Sequence, residues 1–521
     1  MTTEQLIPAK LNKIEKAKAE KPGLAVKAEL ARFAALGWEA IDKTDLEIRL
    51  KWLGIFFRPV TPGKFMLRLR LPNGCVNSHQ LQALAEIIQR YDEDGSADIT
   101  TRQNLQLRGL RLEDMPVIFE TLERVGLTSL QSGMDNVRNL TGSPVAGIDP
   151  DELIDTRDLL QKIQDLITNH NQGNEALSNL PRKFNIAIEG ARDNSIHAEI
   201  NDLAFIPAFK EGVLGFNVLI GGYLSAQRCA ESVPMDVWVP ADDTVVALSE
   251  AILKVYSDNG LAAGLRESRA KARLMCLVDH WGMEKFRAEV ETFLGQPLEN
   301  AAPTDEITQD KKDHLGVHGQ KQAGLNYVGL HVPMGRLSAD QMFELARLAD
   351  VYGNGELRLT VEQNVILTHI PTEHLDPLLA EPLLQTFQIN PSPLSRSVIS
   401  CTGARYCNFA LIETKQRAWQ LAQELDGELD LPQRVRIHWT GCPNSCGQPQ
   451  AGDIGLIGSK TRQDGQTVEA ANIYTGGKVG KGACLGSLQE KSVPVGDLKD
   501  HLRQILIDQF GAVPKNASVT G

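Results

Sequence analysis

The chain contains one unit twice, and that duplication limits its architecture more than any other feature. The first copy opens with F-M-L-R-L-R-L-P-N-G at Phe65, the second with Y-V-G-L-H-V-P-M-G at Tyr327. Pro72, Gly74, Gln80 and Tyr91 match Pro333, Gly335, Gln341 and Tyr352 at one constant offset. After a single deletion, Gly95, Thr100, Gln103 and Asn104 match Gly355, Thr360, Gln363 and Asn364. Two copies of one unit imply a pseudo-two-fold body with a crevice where the halves meet, and such crevices hold ligands.

Within the unit, alternation puts Phe65, Leu67, Leu69 and Leu71 on one face of a strand and Arg68 and Arg70 on the other. Asn77 with Gln80 three residues later predicts a capping box, and Ser338 takes the cap in the second copy. Leu81, Leu84, Ile88 and Tyr91 then form the apolar stripe of a helix. After Gly95, residues 97–109 read as a strand. The following segments echo each other more faintly: N-L-P-R-K-F-N-I-A-I from Asn179 against D-L-P-Q-R-V-R-I-H-W from Asp430. Asn217, Gly221 and Gly222 likewise stand against Asn472, Gly476 and Gly477. The chain therefore reads as A–B–A′–B′, an α/β body with mixed sheets and a polar linker at residues 299–314. Residues 1–60 read as an N-terminal arm followed by helix, with charged, alanine-rich residues 10–21 as a solvated helix or tail.

The copies differ where chemistry is expected. The first carries Arg68 and Arg70 where the second has Gly329 and His331. The first B segment holds Lys183, preceded by Arg138 in S-G-M-D-N-V-R-N. The second holds Cys401 and Cys407, then Cys442 and Cys446 in T-G-C-P-N-S-C-G-Q-P. One half looks built for an anion and the other for a metal centre. Two pairs of thiols in glycine- and proline-rich turns can hold structural zinc. Their irregular spacing suits an iron–sulfur cluster better, although no ferredoxin-type run is present. Cys75, Cys229, Cys276 and Cys484 stand alone and read as small apolar residues. Eight cysteines in 521 residues, with no apolar leader and no run of roughly 18 apolar residues, fit a cytoplasmic chain with reduced thiols. A net charge of −12 argues against nucleic acid as the main partner.

The sequence resembles the sirohaem-containing nitrite and sulfite reductase family, from about residue 50 to 515. The resemblance is carried by R-L-P-N-G with T-T-R-Q-N-L-Q-L-R-G, then G-L-T-S-L-Q-S-G-M-D-N-V-R-N and N-L-P-R-K-F-N. A-E-I-N-D-L-A, G-F-N-V-L-I-G-G and the cysteine set with T-G-C-P-N-S-C-G-Q complete it. It implies a three-domain body: an arm at 1–60, paired ferredoxin-like half-domains at 61–147 and 320–390, and B domains at 148–300 and 391–521.

The resemblance also implies a [4Fe–4S] cluster on Cys401, Cys407, Cys442 and Cys446, with Cys446 shared as the sirohaem iron's ligand. Arg68, Arg138, Lys183 and Asn185 would line the anion side, and Arg70, Arg102, Asn104 and Arg108 would serve the carboxylate-rich sirohaem rim. The implied activity is six-electron reduction of nitrite to ammonium by a monomer, with ferredoxin as donor. The alternative is assimilatory sulfite reduction, whose enzymes carry a second lysine where this chain has Asn185. No G-x-G-x-x-G fingerprint points to a nucleotide donor. Arg266, Arg269 and Arg273, with Lys271, share helical spacing and offer either a basic docking face for an acidic carrier or a set of packing and sirohaem-side structural residues.

Overall fold

The structure, a computed structural model, describes residues 10–515. Each A copy builds a five-stranded sheet, and the two copies exchange an edge strand. The first sheet runs Ile55–Phe56, Phe65–Arg68, Leu105–Leu110, Ser96–Ile99 and then Arg336–Leu337 from the second copy. The second runs Gly316–Gly319, Leu325–Leu330, Val365–Pro371, Glu356–Leu359 and then Cys75–Asn77 from the first. Each donated strand leads into a helix, Ser78–Gln89 or Ala339–Tyr352, and both carry the capping box expected at Asn77 and Ser338. The turn before each donated strand holds Asn73 at φ 58° and Met334 at φ 54°, a left-handed conformation that redirects the chain across the axis.

The stretch 97–109, read as one strand, is a hairpin. Its turn, Thr100 to Asn104, is closed by Thr100 N donating to Asn104 O, as Thr360 N donates to Asn364 O in the second copy. Gln103 and Gln363 take φ 49° and 68° there, a left-handed conformation that turns the chain back on itself. Their side chains turn outward as clamps. Gln103 bonds both N–H and C=O of Gly142, while Gln363 accepts from Ser400 N and donates to Ile99 O.

The B copies have matching sheets. Thr141–Gly142, Ile186–Ile188 and Leu203–Lys210 are parallel, and Val213–Ile220 and Val233–Pro240 continue antiparallel. Val398–Ser400, Ile437–Thr440, Ile454–Gln463, Gln466–Thr475 and Ser487–Pro494 repeat that order and those directions. Three large apolar cores result, one shared by the interlocked A copies and one for each B copy.

The N-terminal arm is not a solvated tail. Val26, Leu30, Phe33, Leu46 and Leu50 join the core of the A sheets. Lys18, on the helix Lys13–Glu20, is buried and donates to Asp135 Oδ2 at 3.3 Å and Leu180 O at 3.0 Å. A buried carboxylate needs such a partner, so Asp135 draws in a helix that the pattern of charge places in solvent. No described helix is long and apolar enough to cross a membrane.

Candidate functional site

Two parallel neighbours, Val398–Ser400 and Ile437–Thr440, end side by side, and the chain leaving them supplies Cys401 and Cys442. Gly441 N donates to Cys401 Sγ at 3.2 Å, tying the two turns together. Gly447 is required between Cys446 and the sheet, because a Cβ there would lie 2.0 Å from Trp439 O. Cys442 is buried, Cys401 and Cys407 are half-buried, and Cys446 is exposed. Burial pushes the Cys442 thiol up to about 11, and the Cys446, Cys401 and Cys407 sulfurs add to that rise. Burial, with the Cys446 sulfur adding to it, also raises the Cys401 thiol, so these two sulfurs become thiolates most readily on a cationic centre. Two pairs of cysteine thiols on two facing turns are a donor set that suits an iron–sulfur cluster.

Opposite the cysteines stands a wall of cations. Arg68 ends the strand Phe65–Arg68, and Arg102 sits in the hairpin turn whose Thr101 hydroxyl donates to Cys446 O at 3.1 Å. Arg138 and Lys183 come from adjacent extended segments joined by Arg138 N to Phe184 O and Phe184 N to Asn136 O. Each is partly buried. Burial lowers Arg68 to about 9, and Arg58 and Arg102 lower it further, while the Cys446 sulfur acts to raise it. Burial holds Lys183 well below the lysine range, reinforced by Arg273 and Arg102, again with Cys446 opposing. Arg138 is pushed down by burial and by Arg68, Arg102 and Arg182. Among the described residues Arg68, Arg102, Arg138, Arg182 and Lys183 form no ion pair, since nearby Asp135 is taken by Lys18 and Arg269 and Asp202 by Arg273. A buried set of like charges without counterions is a receptor for anions.

Other expected residues have different work. Arg70 donates to Gln164 Oε1 and to the carbonyls of Gln131, Val137 and Arg138, so it locks the cation-bearing segment from behind. Asn104 donates to Leu69 O and accepts from Leu105 N, a backbone latch rather than a free amide for a ligand. Arg108 pairs with Asp98 at 2.5 Å, in a hub with Arg336 and Lys415, and lies over the Tyr406 ring. Asn185 is 2 % exposed, its N–H bonded to Asp202, and its Oδ1 has no partner. The expected docking face is overturned: Arg266 pairs with Glu15, Arg269 with Asp135 and Arg273 with Asp202, buried carboxylates that fold them inward. Arg58 and Arg182 are close to the site without having been expected there, and Arg273 is close to it in a structural role.

The second B copy shows what the cation positions become when filled. In the matching register, Arg396, Arg434 and Arg436 replace Arg138, Lys183 and Asn185. There each has a carboxylate: Arg396 and Arg434 meet Asp313 from the linker, and Arg436 lies 3.7 Å from Asp453. Glu362, the counterpart of Arg102, pairs with Lys311 at 2.6 Å. Ala191 and Ser195 occupy the places of Cys442 and Cys446. One half is internally neutralised, and the other is left open.

A family description, "Nitrite and sulphite reductase 4Fe-4S domain", matches residues 133–298 and 393–509. A second, "Nitrite/Sulfite reductase ferredoxin-like half domain", matches residues 59–125 and 318–384. The chain belongs to the nitrite and sulphite reductase family. A protein of Leptolyngbya laminosa called ferredoxin–nitrite reductase is 62% identical over 516 residues, 99% of this chain and 100% of its own length. One of the same name from Synechococcus elongatus is 63% identical over 503 residues, covering 96% of this chain and 97% of its own. The solved structure of the Mycobacterium tuberculosis NirA protein has a TM-score of 0.87 at 31% identity, over 95% of this chain and 93% of that one.

Proposed function

We propose that this chain reduces nitrite to ammonium with electrons from ferredoxin, using sirohaem coupled to a [4Fe–4S] cluster. The carrying observation is the set of five cations without carboxylate partners, three of which face the exposed Cys446 sulfur. The donor set fits the two groups. Cys401, Cys407, Cys442 and Cys446 would hold the cluster. The Cys446 sulfur acts electrostatically on Arg68, Arg102 and Lys183 and also on Cys401 and Cys442, so this one thiolate would serve both centres. Arg102 and Arg182 would meet sirohaem carboxylates, in place of Arg70, Asn104 and Arg108. When bound, the two groups supply an open iron position and single electrons.

The chain's own residues then do three things. Arg68, Arg138 and Lys183 neutralise nitrite and stabilise negative charge on its oxygens as the N–O bonds break. Lys183, whose ammonium is already acidified by its surroundings, donates a proton from Nζ more readily than an ordinary lysine. Arg70, satisfied by four acceptors, keeps the Arg138 segment from shifting. The cytoplasm suits the assignment, because the four cluster thiols must stay reduced until loaded. The test is steady-state turnover with a small one-electron dye, offering nitrite and sulfite separately. Ammonium from nitrite as the dominant product supports the reading, and sulfide from sulfite as the dominant product transfers it to the sulfite branch.

A further inference from the structure

The loop that follows Cys407 carries an apolar pair on the outside of the molecule. Phe409 is 55% exposed and Leu411 39%, in a chain whose other large apolar side chains are mostly buried. Arg58 reaches over from the A side, its guanidinium 5.8 Å from the Phe409 ring centroid and its Nη1 donating to Asn408 Oδ1 at 3.4 Å. Arg405, four residues before Phe409, is exposed and lies 5.2 Å from the ring of Tyr406, which also has Arg336 at 5.1 Å. Among the described residues neither Arg58 nor Arg405 forms an ion pair. Glu413, the carboxylate of the same loop, accepts from the N–H groups of Gln416 and Arg417. The patch is therefore positive, with an apolar centre, on a chain of net charge −12.

We propose that this patch, Phe409 and Leu411 flanked by Arg58 and Arg405, is the docking surface for the acidic iron–sulfur electron carrier. The inference rests on the reading of the chain as a ferredoxin-dependent reductase and adds where that partner binds. Three features point to it. An apolar centre within a charged rim is the anatomy of a transient protein interface. The sign of the rim complements an acidic partner and repels further copies of other basic proteins. The position is two residues from Cys407, so a carrier seated there is close to a cluster thiolate, whereas Arg266, Arg269 and Arg273 are taken up by Glu15, Asp135 and Asp202.

The experiment uses the holoenzyme with Arg405→Glu and Phe409→Ala, each assayed for nitrite reduction with reduced ferredoxin and with a reduced viologen dye. The expected result is a rise in the KM for ferredoxin of about tenfold for Arg405→Glu, the scale of one like-charge contact at an interface, with dye-driven turnover and the visible spectrum unchanged. Phe409→Ala should raise the same KM severalfold, because interface aromatics carry a large share of binding. An unchanged KM for ferredoxin in both variants overturns the docking site. An equal loss with ferredoxin and dye also overturns it, since the residues would then act on the cofactors. A wild-type enzyme that fails to reduce nitrite even with the dye overturns the functional reading beneath the proposal instead.

Discussion

Lys183 and Asn185 lie two apart in one extended segment, yet the structure treats them differently. Lys183 is partly buried among arginines that form no ion pair with the described residues, while Asn185 is 2 % exposed with an amide oxygen that lacks a partner. Burial and the Arg273 and Arg102 charges hold the Lys183 pKa well below its ordinary value, and a bound anion acts to raise it. Nitrite binding therefore takes up a proton at Nζ. The KM for nitrite should rise as pH climbs through the free-enzyme pKa of Lys183, and Lys183→Arg should flatten that rise, because guanidinium stays protonated. A dye-driven pH profile of kcat/KM checks this, and parallel profiles for both enzymes would refute it. Asn185→Lys adds a cation beside the set, which a dianion offsets better than a monoanion. The ratio of kcat/KM for nitrite to that for sulfite should fall by about tenfold, equal to ~1.4 kcal/mol of differential binding. An unchanged ratio with both cofactors intact would separate Asn185 from substrate. At this scale the sequence is legible where the two copies diverge. Arg102 against Glu362 is a reversal of charge, whereas Asn104 against Asn364 and Gln103 against Gln363 are retained in both, the asparagines at the turn and the glutamines as clamps on the segments beyond it. Arg70 misleads because the strand ends at Arg68, so alternation no longer sets its direction. Arg182 and Arg58 have no periodic or paired signal, and only tertiary contact places them at the site.

The cysteine turns and the linker are the elements that make the two halves unequal. With Cys446 proposed as the sulfur shared by cluster and sirohaem, Cys446→Ser should abolish the absorbance of both together. Cys229→Ser or Cys276→Ser should leave both spectra intact, since neither thiol lies in these turns. A Cys446→Ser enzyme with the wild-type haem spectrum would remove the shared-ligand assignment. The linker, legible in the sequence only as a polar spacer, supplies the anion that the second half needs. Burial alone would raise the Asp313 carboxyl, but Arg396 and Arg434 hold it well below the carboxylate range. A depressed folded pKa contributes stability that is present above the unfolded value, about 3.9, and lost as pH falls through the folded one. Asp313→Ala should therefore lower the thermal midpoint at neutral pH, at a cost of about 2 kcal/mol given that the arginines keep part of their hydration. Added sulfate should restore stability in the variant and do much less in the wild type. Equal sulfate effects on both proteins would show that Asp313 is not the internal counterion.

Across the whole molecule, the duplication, its A–B–A′–B′ order and both capping boxes follow from local pattern, whereas the exchange of edge strands does not. Cys75–Asn77 and Arg336–Leu337 are too short to carry a periodic signal, and their pairing with the opposite copy is settled by the left-handed turns at Asn73 and Met334. The same limit applies to charge. A helical spacing of Arg266, Arg269 and Arg273 looks like an exposed basic face until Glu15, Asp135 and Asp202 are seen to absorb it. What remains is an acidic molecule, net −12, that must attract an acidic carrier. At long range the two repel, and at short range a local basic patch can attract. Both forces decay over roughly 10 Å at 0.1 M salt, but the attraction acts between exposed groups at contact and sets the lifetime of the complex. Raising ionic strength from low values should first relieve the long-range repulsion and then weaken docking, so that the KM for ferredoxin rises steeply above about 0.1 M. Turnover with a small dye, which needs no docked complex, should change much less over the same range. The comparison is made on one enzyme preparation with both donors, and an equal salt response of the two would mean that charge does not seat the carrier.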